Sequence, residues 1–308
     1  MKVGWFVVGQ KTQPSTRIMA LNVIRYLNEK NICENSILWQ PPEFTPVVPT
    51  DVRLVKNLDY VVFQKACMGD ALEQLLWYKH QGTKTIYILD DFLLEAADMV
   101  KNADIIISGS QYLSEMIKHF FDRDSRVMID AYETPPTLFK EDYTTDKIRV
   151  VWFGTVGHFN EALDIKPITE ELGYDFITIS SCPEATKIWS YDTIWSDIIS
   201  SDIVVIPFLG ELPPFELAKG NNRLTQSMVL GMPVVASPIP AYFSIVDQYR
   251  NGIITFNNDK EDWKEALSYL RSPEVRREIG TRAHNAVVFK YHISTIGGYW
   301  KEILYGKS

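Results

Sequence analysis

An α/β chain of two Rossmann-like domains facing an interdomain cleft is the fold class predicted for this 308-residue sequence. Three observations predict it. Short β-branched apolar runs alternate with stretches of helical periodicity, as in parallel sheets covered on both faces. The alternation breaks at residues 132–147, a charged stretch that contains Pro135 and Pro136, and then restarts. The length suits about two domains at roughly 100–200 residues each.

Residues 2–8 form the first apolar run, and residues 17–29 carry Ile18, Leu21, Ile24, Tyr26 and Leu27 at helical spacing. Strand-like runs follow at 60–64, 84–89, 104–108 and 126–129, with helical stretches at 71–79 and 112–121 between them. Beyond the break, strands are predicted at 148–153, 175–180, 203–207 and 233–236. Helices are predicted at 162–172, 193–200 and 222–230, the last stopped by Gly231. The tail from 262 to 306 reads as mostly helical. This divides the chain into a first domain over 1–134, a linker over 135–147 and a second domain over 148–290, followed by a terminal helix over 291–308.

Composition removes several function classes. Residues 1–147 hold 16 basic and 20 acidic side chains and the remainder 15 and 19, so neither half is basic. A nucleic-acid partner is therefore not expected, while peripheral contact with a membrane surface stays open. Cys33, Cys67 and Cys182 are far apart and form no CxxC, which fits a reducing, cytoplasmic setting and offers no zinc site. The opening MKVGWFVVGQ reads as a buried strand, not a signal peptide. No apolar run reaches the length of a membrane span.

Ligands of such sheets sit at the carboxyl ends of strands, where strand order reverses. After the first strand, residues 9–17 hold a single glycine and no GxGxxG, which argues against a dinucleotide-dependent dehydrogenase. Ser15 or Thr16 is the expected cap of the next helix, and Arg17 in its first turn faces either an anion or solvent. Asp90 and Asp91 end the 84–89 run. Paired carboxylates there accept sugar hydroxyls, act as a base, hold a divalent ion or cap the next helix. In the second domain, Gly154-Thr155-Val156-Gly157-His158 follows the 148–153 strand. Its glycines permit close backbone approach and its amides lead into a helix. The densest group of donors is Lys219-Gly220-Asn221-Asn222-Arg223 with Gln226, a non-helical entry to a helix with two cations at its start.

Together these residues resemble the GT-B glycosyltransferases of the group 1 or family 4-like type. Residues 226–237, QSMVLGMPVVAS, look like that family's E-A-M-A-x-G-x-P-V-V-A-S. Residues 201–207 (SDIVVIP), Asn251-Gly252, 152–158 (WFGTVGH), 89–92 (LDDF) and 15–18 (STRI) add weaker matches. The resemblance implies a nucleoside-diphosphate sugar donor of UDP or GDP type on the second domain. It implies a glycan, lipid-linked or small-molecule acceptor on the first, near Ser15 and Arg17. Lys219 and Arg223 would meet the diphosphate, with Asp90, Asp91 and His158 as further catalytic candidates and no obligatory metal or cofactor. Gly154, Thr155, Gly157, Ser180, Ser181, Asn222 and Gln226 would line the donor. The terminal helix would cross back to the first domain. One departure stands out: the family's E-x7-E pair falls on Ala218 and Gln226, neither of them acidic. The alternatives are a catalytically silent binding module of the same fold and a nucleotide-sugar epimerase.

Overall fold

The computed structural model describes residues 1–135 and 137–306. Pro136 of the expected linker and residues 307 and 308 of the expected terminal helix lie outside the described residues. The chain forms two compact units. The first comprises Met1–Ala131, Ala218–Gly220 and the chain from Tyr291 onward; the second comprises Tyr132–Leu217 and Asn221–Lys290.

The first unit is built on a parallel sheet of β1 (Lys2–Val7), β2 (Glu34–Trp39), β3 (Tyr60–Gln64), β4 (Lys84–Leu89), β5 (Ile105–Ser108) and β6 (Arg126–Val127). Its order is β2-β1-β3-β4-β5-β6. The central strands are apolar nearly throughout because both faces are covered. Alternation sends Trp5, Val62 and Ile88 to one core and Phe6, Phe63 and Leu89 to the other. Helix Ile293–Tyr305 packs on the first of these faces, with Trp300 against Trp5 at a ring separation of 5.1 Å. Helices Ala71–His80, Ala97–Asn102 and Gln111–Phe121 bring Leu75, Met99 and Leu113 to the second. The edge strand β2, sequence ENSILW, has no continuous apolar run and is half solvated. Periodicity therefore does not predict it.

Residues 14–29 depart from the expected single helix. A turn at Pro14–Thr16 leads into a π-helical segment Arg17–Leu21 and then the α-helix Asn22–Glu29. The cap position belongs to Gln13, so Ser15 and Thr16 lie inside the helical run and cap nothing.

The second unit repeats the plan with β7 (Arg149–Phe153), β8 (Asp175–Ser180), β9 (Lys187–Ile188), β10 (Ile203–Ile206), β11 (Val234–Ala236) and β12 (Ile253–Ile254), all parallel. Their order is β9-β8-β7-β10-β11-β12. Trp152, Val205 and Val235 share a core with Phe159, Ile168 and Trp263. The expected helix over 162–172 is two short ones, Phe159–Leu163 and Lys166–Glu171, the second with a proline in its first turn. Within residues 137–147, Lys140 donates to the Ser201 carbonyl at 2.7 Å and the buried Tyr143 hydroxyl to the Gly231 carbonyl at 2.7 Å. Arg276, also buried, donates to the Tyr143 carbonyl at 2.7 Å. This stretch lacks helix and strand because its polar groups are satisfied by the body of the unit.

Strand order reverses between β1 and β3 in the first sheet and between β7 and β10 in the second. Among the described residues, no helix is long and apolar enough to cross a membrane.

Candidate functional site

The reversal of the second sheet carries a group of charged and aromatic side chains, and the ends of β3 and β4 in the first sheet carry a charged one, each within its own unit. In the second unit, the turn after β7 supplies His158 and the segment after β10 supplies Phe208 and Glu216. The His158 and Phe208 rings meet edge to face at 5.6 Å. The Arg223 guanidinium lies over the same Phe208 ring, 5.9 Å from its centroid. Phe208 is 6% exposed, so a rigid buried ring backs both polar groups. His158 Nδ1 lies 2.9 Å from Glu161 Oε2. His158, Glu161 and the buried Glu216 bring ligand-type atoms within 4.8 Å of one another. A nitrogen and two carboxylates at this spacing suit a divalent cation in their chemistry.

In the first unit, Asp90 and Asp91 follow β4 and Lys65 follows β3. Lys65 Nζ is 2.7 Å from Asp90 Oδ1 and 2.6 Å from Asp91 Oδ2. Lys219 Nζ is 2.8 Å from the other oxygen, Asp91 Oδ1. Lys65 is almost fully buried and its backbone has φ of 58°, the left-handed region that non-glycine residues seldom enter. Burial draws the Lys65 pKa down, but attraction to Asp90 and Asp91 outweighs it and raises it above the ordinary lysine value. Burial also works against an ionised Asp91, yet Lys65 and Lys219 hold its carboxyl well below the usual range. Asp90 goes the other way: burial, with Asp91 beside it, raises its pKa despite Lys65.

No family model matches the chain, and no curated protein is similar to it in sequence. Solved structures are similar in fold. HepE of Anabaena in complex with UDP and glucose matches over 99% of both chains, at 12% identity and a TM-score of 0.68. Sucrose-phosphate synthase of Thermosynechococcus elongatus matches over the whole of both chains, at 11% identity and a TM-score of 0.71. The lipopolysaccharide outer core galactosyltransferase WaaB in its apo form does so at 12% identity and a TM-score of 0.66. The chain has the GT-B fold.

Within this GT-B chain the remaining candidate residues divide. Thr155 and Gly157 are exposed, and a Cβ on Gly157 would meet nothing within 4 Å. Gly154 answers to its own strand instead, since a Cβ there would lie 2.5 Å from the Trp152 ring. Ser180 is fully buried, with its hydroxyl accepting from the Cys182 amide at 3.3 Å, and Ser181 is exposed. Asn221 stands at the cap position before helix Asn222–Val229, with backbone angles in the helical region and no side-chain capping bond. Its side chain donates to Thr225 Oγ1 at 3.1 Å. Asn222 is half-buried in the first turn. Gln226 is 1% exposed. Its Oε1 accepts from the Glu133 amide at 2.9 Å and from the amide and hydroxyl of Thr134 at 3.3 and 3.1 Å. That oxygen is committed to the chain around residues 133–134. In the first unit, Ser15 and Arg17 are half-buried and buried, and Arg17 donates to the Lys11 carbonyl at 2.7 Å.

Lys65, Phe208, Glu161 and Glu216 were not among the candidates. Lys65 and Phe208 stand immediately after predicted strands, so the strand-end rule, applied at every strand, includes them. Glu161 and Glu216 lie several residues further on, in the short helices Phe159–Leu163 and Pro214–Leu217, and no spacing pattern links them.

Proposed function

We propose that the protein is a glycosyltransferase that moves a sugar from a nucleoside-diphosphate sugar, of UDP or GDP type, to an acceptor hydroxyl in glycan or glycolipid synthesis. The observation that carries this reading is the gathering of His158 and Arg223 on Phe208 at the strand-order reversal of the second sheet. In open α/β sheets that is where ligands bind. HepE, which has the same fold, was solved with UDP and glucose.

In this reading the leaving group is a nucleoside diphosphate, and catalysis consists of meeting the charge that develops on it. Arg223 supplies a planar cation suited to two phosphate oxygens. His158 donates to a phosphate or a sugar hydroxyl, and Lys219, on the first unit, is a further cation suited to phosphate. Thr155 and Gly157 leave the turn after β7 open to close approach. Asp90 and Asp91 serve the acceptor hydroxyl, with Ser15 and Arg17 on the same unit. No metal is required, because fixed cations do the neutralising.

Two observations favour a second reading, a module that binds a nucleotide sugar without transferring it. Gln226 Oε1 is committed to residues 133 and 134, and Lys219 is paired with Asp91.

Incubation with UDP-glucose, UDP-galactose and GDP-mannose, with and without mixed acceptors, tests the proposal. Release of the matching diphosphate by the wild type, lost in Arg223→Met, supports transfer. Binding without release supports the silent module. Neither binding nor release overturns both.

A further inference from the structure

We propose that Asp91 is the resting partner of Lys219, an internal carboxylate that a ligand phosphate must displace, and that Lys65 holds Asp91 in place during the exchange. The inference rests on the donor-binding reading above and adds to it a residue that sets affinity.

The four charges are not equivalent. Lys65 has a side chain 7% exposed and reaches two carboxylates, Asp90 at 2.7 Å and Asp91 at 2.6 Å. Its left-handed backbone gives it a fixed point of departure from β3. Lys219 has a side chain 28% exposed, and its ion pair among the described residues is with Asp91 alone. Its neighbour Ala218 is held, its carbonyl accepting from the Ser110 hydroxyl at 2.7 Å. The ammonium sits on a flexible four-carbon stem. When an anion competes, the member free to move is Lys219, while Asp91 stays with Lys65. The group contains two cations and two carboxylates, so a departing Lys219 leaves no charge isolated: Lys65 remains with both carboxylates, and Lys219 gains a phosphate. The cost of breaking the pair is taken from the affinity for the ligand, so removing the carboxylate returns it.

Calorimetric titration with UDP, and with uridine as the phosphate-free control, tests this. Asp91→Asn is expected to bind UDP about fivefold more tightly than the wild type, the scale of a partly exposed ion pair. Uridine affinity is expected to stay unchanged. Asp90→Asn alters net charge equally, but its ion pair is with Lys65 and not with Lys219, and it is expected to change UDP affinity less than about twofold on the same scale. The gain is expected to vanish in Asp91→Asn with Lys219→Met. The exchange is overturned if Asp91→Asn binds UDP no more tightly, if Asp90→Asn matches it, or if the gain survives without Lys219. Should Asp91→Asn not fold, Asp91→Ser carries the same expectations. Absence of UDP binding in the wild type overturns the donor reading, an outcome distinct from a wild type that binds while Asp91→Asn brings no gain.

Discussion

Lys219 Nζ stands 2.8 Å from Asp91 Oδ1. The cation expected to serve a diphosphate thus meets the carboxylate expected to serve an acceptor. Two candidate residues, 128 positions apart in the chain, belong to one charge cluster with Lys65 at its buried end. Arg223 sits in a different setting, over the ring of Phe208.

Lys65→Met removes the counter-ion shared by Asp90 and Asp91. The expected cost is about 3 kcal/mol at neutral pH, the scale for leaving buried charge uncompensated. Asp91 has a lowered pKa, so its contribution to stability is present above the ordinary aspartate value and is lost as pH falls through the lowered one. Asp90 has a raised pKa, so its contribution is present below the ordinary value and is lost as pH rises through the raised one. Without Lys65, both carboxylates take up protons more readily. The cost of the substitution should therefore shrink between pH 7 and pH 4. Urea denaturation of both proteins at the two pH values checks this, and a pH-independent cost contradicts it.

Phe208→Ala takes away the ring shared by His158 and Arg223. UDP affinity is expected to fall by about tenfold, equivalent to roughly 1.4 kcal/mol, with a comparable fall in Arg223→Met. Isothermal titration measures both. A variant without Phe208 that binds as well as the wild type would separate His158 and Arg223 from the donor.

Gln226→Ala leaves the Glu133 and Thr134 amides and the Thr134 hydroxyl without their shared acceptor. A loss of about 2 kcal/mol is expected from orphaned buried donors, read from the shift in denaturation midpoint at unchanged slope. Gln226→Glu retains the acceptor oxygen and should lose less.

Chelation with EDTA is expected to leave diphosphate release unchanged, since the cations of the proposed mechanism are side chains. If release stops and Mn²⁺ restores it, His158, Glu161 and Glu216 are the ligands to replace first, and the metal-free mechanism is wrong.

Much of the architecture was legible in the sequence because the central strands are buried on both faces. YVVFQ and KTIYIL are apolar nearly throughout, with no solvent face to interrupt them. The edge strand ENSILW escaped for the converse reason, as every one of its side chains is exposed or only partly buried, with no alternation between the two. The two-residue strand at Ile253–Ile254 is too short to give a period. At the site, residue type could be read but partnership could not. Nothing in local sequence tells Lys219 that Asp91 is its neighbour, or gives Gln226 the amides of residues 133 and 134, because those pairings arise from strand order and loop paths. The π-helical segment Arg17–Leu21, with Arg17 to Ala20 buried, likewise has no signature in helical periodicity.

Thermal unfolding of the wild type in the presence of UDP, GDP, CMP and ADP tests the central claim most directly. A ligand that binds only the folded chain raises the melting temperature, by about 2.7 kcal/mol of stabilisation at a hundred times its dissociation constant. UDP or GDP is expected to raise it, uridine or guanosine to do so far less, and Arg223→Met to cut the rise to about half, as a tenfold loss of affinity requires. No rise with any nucleotide, or equal rises for a nucleoside and its diphosphate, would contradict the account.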